Sequence, residues 1–324
     1  MKMNIPGLGM VDSGGLAEIL RSDDCLFHAQ KNGVNAILTT GDKKVELIVF
    51  DDKTLAYVKS SQGYPAYYPV QPVQRDEAVG AVLMDLDGTT VKSEEFWIGI
   101  IEMTVRSLTG KPGLELEQAD IPFVSGHSVS EHLQYCIDKY CAEASLVKAR
   151  EIYYEHTHRE MHAILHEGKQ GAFTPAEGVR DWLLMLKRRG IKIGLVTSGL
   201  YEKAYPEILS AFRAMRMGEP EKFYDVMITA GNALGRGQAG TLGELEAKPH
   251  PWLYAEAAAV GLGIGLGERG RVIGIEDSGA GVCSVRLAGF FTVGIAGGNI
   301  SQSGTRAFCS SYCNGFEQIE QEIF

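Results

Sequence analysis

From about Gly80 onward, short apolar runs alternate with longer stretches of helical periodicity, the pattern of parallel βαβ units. The runs predict strands over residues 81–85, 191–197, 226–229, 272–276 and 291–295. Before the second of these, Val179, Trp182, Leu183 and Leu186 recur on one helical face, and Gly190 supplies the stop between helix and strand. Ligands of a parallel sheet gather at the carboxyl ends of its strands, so the polar residues just past each apolar run are the ones to inspect.

Two regions depart from this alternation. Residues 91–175 read as helical and polar, with no convincing strand between Asp85 and Ile191, and form an inserted helical unit. Ahead of Gly80, strand-like runs at 35–40, 45–50 and 54–59 are separated by Gly41-Asp42-Lys43 and Asp51-Asp52-Lys53, which predicts an antiparallel meander. The segment 63–69, Gly-Tyr-Pro-Ala-Tyr-Tyr-Pro, followed by Pro72, reads as a linker because its prolines interrupt regular structure. The expected fold is therefore α/β: a Rossmann-like parallel sheet core (79–90 and 176–324), a helical insertion (91–175) and a small N-terminal α+β extension (1–78) of unassigned role.

Composition narrows the classes of function. A chain of 324 residues that is 45% hydrophobic and 22% charged can bury a sizeable core. Its 31 basic and 41 acidic side chains leave a net charge of −10 and no evident basic face for a phosphate backbone, which argues against nucleic acid as a partner. The longest apolar runs, such as 288–298, fall short of the roughly 20 residues a membrane span needs. Residues 1–7 lack the apolar core and cleavage site of a secretory signal, so the expected location is cytoplasmic. Six cysteines with no paired CxxC spacing, Cys309 and Cys313 included, are expected to be reduced packing residues.

The strongest chemical signal is Val82-Leu83-Met84-Asp85-Leu86-Asp87-Gly88-Thr89-Thr90. A buried-strand run here ends in two carboxylates two residues apart, followed by glycine. The first can attack an electrophile or bind a metal while the second acts beside it as acid or base. Three further strings follow in order: Gly194-Leu195-Val196-Thr197-Ser198-Gly199, then Ala247-Lys248-Pro249-His250-Pro251, then Ile275-Glu276-Asp277-Ser278-Gly279.

In these four ordered motifs the chain resembles the haloacid dehalogenase superfamily of phosphatases and phosphomutases. The resemblance covers about the last three quarters of the chain. It implies Asp85 as a nucleophile that forms an aspartyl phosphate, and Asp87 as the general acid and base. It also implies Thr197, Ser198, Gly199 and Lys248 as the phosphate-binding set, of which Thr197 and Lys248 serve catalysis. Crowded carboxylates and phosphate need a hard divalent cation, Mg2+, with Asp85, the main-chain carbonyl of Asp87 and Asp277 as implied ligands and Glu276 a direct or indirect contributor. By resemblance the insertion is a cap domain with hinges at 90–92 and 171–175, and Gly126, His127 and Ser128 match by position a substrate-specificity loop; a polar turn before a helix starting near Val129 fits them equally.

The expected activity is Mg2+-dependent hydrolysis of a small phosphorylated metabolite, by a monomer or a homodimer. A phosphomutase with the same site and a regulatory protein on a retained hydrolase core are the alternatives. Dehalogenase and phosphonatase chemistry are disfavoured because those branches depart at the position of Asp87. Lys92 stands where the β-phosphoglucomutase-like branch commonly has an acidic residue. Two weaker patterns add nothing to this reading. Gly265-Leu266-Gly267-Glu268-Arg269-Gly270 precedes a strand instead of following one, unlike a dinucleotide loop. His158, His162 and His166 at i, i+4 and i+8 have a spacing that can bind a transition metal, but with no HExxH and no nearby cysteine they read as a polar helix face or a substrate-facing lining.

Overall fold

The computed structural model describes residues 2–59, 65–76, 78–124, 129–231 and 246–324. The chain divides into two compact units. One comprises Met1–Thr90, Pro175–Ala204 and Gly218–Phe324, the other Val91–Thr174 and Tyr205–Met217.

In the first unit the chain begins with an antiparallel hairpin of β1 (Lys2–Ile5) and β2 (Gly9–Asp12). It continues as a five-stranded antiparallel sheet of β3 (Ala17–Ile19), β4 (Ala36–Thr39), β5 (Val45–Val49), β6 (Thr54–Val58) and β7 (Ala66–Pro69), in that spatial order. The central meander is the one the alternation predicts. Strand β7 corrects the linker reading of residues 63–69: Ala66–Pro69 pairs with β6 from Val58↔Ala66 to Leu55↔Pro69. Its proline is tolerated because β7 is an edge strand, where one side of the backbone needs no ladder partner.

Both faces of this sheet are apolar, because its strands are covered on two sides. Leu38, Val45, Leu47, Val49, Ala56 and Val58 pack with Val282, Cys283, Ile300 and Phe308 from the far end of the chain. The opposite face, Ile37, Ile48 and Tyr57, packs with Val34 and with Phe27, Phe50 and Tyr67. The N-terminal sheet therefore shares a hydrophobic core with the C-terminal half of the protein.

The main sheet is built around β8 (Ala81–Asp85), buried along its whole length. The two-residue strands β9 (Val91–Lys92) and β10 (Thr174–Pro175) pair where the chain passes between the units. The second unit holds α1 (Glu94–Thr109), α2 (Ile121–Val124), α3 (Val129–Tyr140) and α4 (Leu146–His166). Its core is formed by Ile100, Ile101, Val105, Val124, Leu133, Cys136, Ile137, Ala149 and Tyr153.

Back in the first unit, α5 (Val179–Arg188) buries the predicted stripe Val179, Trp182, Leu183 and Leu186, and Gly190 follows with φ +70°. There follow β11 (Lys192–Val196), then α6 (Tyr201–Met215), which from Tyr205 on belongs to the second unit, and, in the first unit again, α7 (Pro220–Phe223), β12 (Val226–Ile228), α8 (Trp252–Glu256), β13 (Val272–Glu276), α9 (Gly279–Leu287), β14 (Phe291–Ile295), β15 (Ser311–Cys313) and α10 (Phe316–Ile323). The sheet order is β12-β11-β8-β13-β14-β15, all parallel. Only β15 was without a sequence signal, since Ser-Tyr-Cys is too short and too mixed to read as an apolar run. The GxGxxG string lies in a 3-10 turn, Leu266–Arg271, that leads into β13, as its position before a strand implies.

Asp120 organises the helical unit from inside. Its side chain is fully buried and accepts hydrogen bonds from Tyr135 Oη and Lys139 Nζ, each at 2.6 Å, from Tyr140 Oη, and from the Glu117 amide at 2.9 Å. Burial alone would raise its pKa, but these four donors outweigh it and hold the carboxyl below the usual aspartate value of 3.8. A depressed native pKa adds stability that is present above pH 3.8 and lost as the pH falls toward the native value. Asp120→Asn is expected to cost about 2 kcal/mol at pH 7, and the gap to wild type should narrow on acidification below pH 4. Urea titrations at several pH values measure this; a gap that does not change with pH would contradict it.

The shared core yields a second prediction. Removing residues 1–76 strips the cover from Val282, Cys283, Ile300 and Phe308, so the shortened chain should aggregate or bind a hydrophobic dye. A soluble truncated protein with an unchanged melting temperature would show that the N-terminal sheet is an independent appendage.

Candidate active site

The carboxyl edge of the main sheet gathers the polar ends of three adjacent strands. Asp85 is the last residue of β8, Glu276 the last of β13, and Thr197 follows β11 directly. The register aligns them, because Val196 pairs with Asp85 across β11–β8 and Ile275 pairs with Met84 across β13–β8.

Lys248 is the centre of the arrangement. It enters from the segment before α8, and its side chain is only 5% exposed. Its Nζ lies 2.5 Å from Asp85 Oδ1 and 2.7 Å from Glu276 Oε1, and it donates to the Val196 carbonyl at 3.0 Å. The Lys248 amide donates to Ser198 Oγ at 3.1 Å, which ties the lysine segment to the turn after β11. That turn is closed by the Gly199 amide on Thr197 Oγ1 at 3.0 Å. Burial works against the lysine charge, but the two carboxylates outweigh it and hold the ammonium above its usual range.

Asp277 completes an acidic triad. Carboxylate oxygens of Asp85, Glu276 and Asp277 lie within 4.8 Å of one another, and all three residues are buried. Burial and the neighbouring Glu276 push the Asp85 carboxyl well above the ordinary aspartate range, against the opposing pull of Lys248. The same two causes push Asp277 up to about 7. Three carboxylates facing one ammonium leave excess negative charge, and a set of hard oxygen donors suits a divalent cation such as Mg2+. The members of the triad differ in what else they hold. Glu276 accepts from Tyr254 Oη at 2.6 Å and from Ser278 Oγ at 3.2 Å in addition to its contact with Lys248, so both of its oxygens are engaged by protein groups. Asp277 receives a long bond of 3.4 Å from Thr89 Oγ1, and Thr90 Oγ1 donates to the Asp85 carbonyl at 2.5 Å.

Glycines make this crowding possible at two positions. Gly88 has φ +84°, and a Cβ there would stand 2.1 Å from Asp277 Oδ2. A Cβ at Gly281 would stand 1.9 Å from the Glu276 carboxylate. Asp87 sits half-buried on the loop between Asp85 and Gly88, where the two-residue spacing puts it.

Asp85, Thr197, Ser198, Lys248, Glu276 and Asp277 are thus brought to one sheet edge. Gly126, His127 and Ser128 lie outside the described residues, as does most of the glycine-rich stretch 231–246 with Arg236. His158, His162 and His166 lie on α4; the rings of the last two are 4.7 Å apart, and His162 Nδ1 is 3.2 Å from Glu167. Among the described residues the acidic triad is the group with metal-ligand geometry. Tyr254 and Ser278, which hold Glu276 in place, carried no separate sequence signal: tyrosine in an apolar helix and serine at a helix start both read as ordinary structural choices.

The sequence model for the haloacid dehalogenase-like hydrolases matches residues 82–226. Over that stretch the chain is similar to the haloacid dehalogenase-like hydrolases. It is 28% identical over 225 residues to validoxylamine A 7'-phosphate phosphatase of Streptomyces hygroscopicus subsp. limoneus, a match covering 66% of this chain and 84% of that one. Its fold is similar to that of a HAD-superfamily hydrolase, subfamily IA, variant 1, from Geobacter sulfurreducens PCA, with a TM-score of 0.55, 17% identity and coverage of 78% of this chain and 100% of that one. It is also similar in fold to CbbY of Rhodobacter sphaeroides in complex with phosphate, with a TM-score of 0.50, 18% identity and coverage of 74% and 96%. The sequence-model match begins at residue 82, after the N-terminal sheet.

Replacing Lys248 by methionine leaves Asp85 and Glu276 facing each other without a counter-charge. The variant is expected to lose about 3 kcal/mol of stability, the lower end of the cost of stranding a buried charge. Chemical denaturation at pH 7 without added metal measures it, and an unchanged midpoint would remove Lys248 from the centre of the site.

Proposed function

We propose that the protein is a Mg2+-dependent phosphatase that hydrolyses a small phosphomonoester through an aspartyl phosphate on Asp85. The observation that carries this reading is the contact of Lys248 Nζ with both Asp85 and Glu276 at the carboxyl end of the sheet, beside the buried carboxylate of Asp277. The match to the haloacid dehalogenase-like hydrolase model supports hydrolysis, and the relative named for the 7'-phosphate of validoxylamine A supports a phosphorylated small molecule as substrate.

Phosphoryl transfer asks for a nucleophile in line with the leaving oxygen and for positive charge around the equatorial oxygens. In this reading an Asp85 oxygen attacks phosphorus while the bond from phosphorus to the substrate oxygen breaks. Asp87 gives its proton to the departing alkoxide. The ionised Asp87 then takes a proton from water as that water attacks phosphorus, the bond to Asp85 breaks, and inorganic phosphate leaves. Thr197 and Lys248 donate to the phosphoryl oxygens. Lys248 also keeps Asp85 available as the carboxylate that burial disfavours. Asp85, Asp277 and the Asp87 carbonyl would hold Mg2+, which supplies charge neutralisation between nucleophile and phosphate. Glu276, with its oxygens committed to Lys248, Tyr254 and Ser278, would serve that set indirectly.

Phosphate release from a panel of sugar phosphates, phosphoglycolate and nucleoside monophosphates tests the proposal. Turnover should require Mg2+, vanish with EDTA and return on adding the metal. Asp87→Asn should lower the rate by about 10²–10⁴ for substrates with poor leaving groups, and Asp85→Asn should abolish it. Full turnover in metal-free buffer, or by Asp85→Asn, would refute the reading.

A further inference from the structure

The N-terminal sheet, which lies ahead of the residues that the sequence model matches, makes one contact that leads directly to the lysine segment. Tyr68 lies on β7, the edge strand, and its Oη shares a hydrogen bond of 2.8 Å with Nδ1 of His250, two residues after Lys248. The His250 ring is 3% exposed and meets the Tyr68 ring edge-on, with centroids 5.8 Å apart. Tyr68 also sets its ring against Trp252, the first residue of α8, at 6.2 Å. On its other side His250 Nε2 stands 3.7 Å from Glu246 Oε1, and the His250 carbonyl accepts from Ser284 Oγ of α9 at 2.6 Å.

His250 is therefore the pin of a short segment that carries two working groups. Ahead of it Lys248 reaches Asp85 and Glu276; beyond it α8 carries Tyr254, whose hydroxyl holds Glu276. The backbone of this pin is fixed from the main unit by Ser284, but the hydrogen bond on Nδ1 of its ring comes from Tyr68. Burial holds the His250 imidazole below the usual histidine range, which favours the neutral ring beside the phenol.

We infer that Tyr68 is a positioning residue for the phosphatase site: through His250 it sets the placement of Lys248, so the N-terminal sheet is part of the catalytic apparatus. This rests on the phosphatase reading above. A lysine displaced by a fraction of an ångström loses charge stabilisation that matters most in the transition state, so the effect falls on kcat more than on KM.

The test compares wild type with Tyr68→Phe, which keeps the ring and removes the hydroxyl, and Tyr68→Ala, which removes both. Hydrogen exchange by mass spectrometry reads the amides of residues 246–254, and steady-state kinetics with p-nitrophenyl phosphate and Mg2+ reads the site. The expected result for Tyr68→Phe is faster exchange confined to this segment and a fivefold to tenfold lower kcat, about what one neutral hydrogen bond is worth, with KM within twofold. Tyr68→Ala should be worse on both measures. Normal exchange, or a normal kcat accompanied only by a lower melting temperature, would make the contact purely structural and overturn the inference. A wild type that hydrolyses no phosphate ester would sink the phosphatase reading instead; the exchange measurement would then still decide whether Tyr68 orders the lysine segment.

Discussion

The site depends on one lysine held against two buried carboxylates. Without the Lys248 ammonium, Asp85, Glu276 and Asp277 would sit in a water-poor strand edge with nothing to offset their mutual repulsion, and protonation would be the cheaper outcome. Burial and the neighbouring Glu276 push the Asp85 and Asp277 carboxyls upward, in the direction of that limit. Much of the surrounding structure serves to hold the lysine there. The Val196 carbonyl and Ser198 hydroxyl receive it, Tyr254 and Ser278 fix its partner Glu276, and glycines at 88 and 281 leave room for the carboxylates.

The parallel sheet explains why such a cluster can exist at all. Strands buried on both faces place backbone and side chains with little freedom, so three neighbouring strands deliver Asp85, Thr197 and Glu276 to one edge in fixed register. The same rigidity extends to the N-terminal sheet. Its inner face is fused to Val282 and Cys283 on α9, the helix that follows the Glu276-Asp277 pair, and its edge strand touches His250. The N-terminal sheet is thus joined to the site through packing on one side and a hydrogen bond on the other.

How much of this could be read from sequence follows from the kind of signal each part leaves. Five strands of the main sheet announced themselves because burial on both faces demands continuous apolar runs, and Asp85, Thr197, Glu276 and Asp277 stood out as polar residues directly after them. Lys248 was legible only through motif order, since nothing local distinguishes it from a solvated lysine before a proline. Strand β7 was misread because Pro65 and Pro69 signal a break in most settings, whereas an edge strand accommodates them. With β7 went the Tyr68–His250 contact, a pairing across 182 positions that no local pattern encodes. Tyr254 was invisible for a related reason: its role depends on where its hydroxyl points, and its ring alone justifies its place in the core.

The central claim is that Asp85 carries the phosphoryl group. On this account Asp87→Asn should slow hydrolysis of the intermediate but leave its formation intact for a substrate such as p-nitrophenyl phosphate, whose leaving group needs no acid. Acid quenching that variant during turnover and mapping its peptides by mass spectrometry should find one added phosphoryl group, on Asp85. Steady phosphate release with no phosphorylated Asp85, or the group found on another residue, would contradict the account.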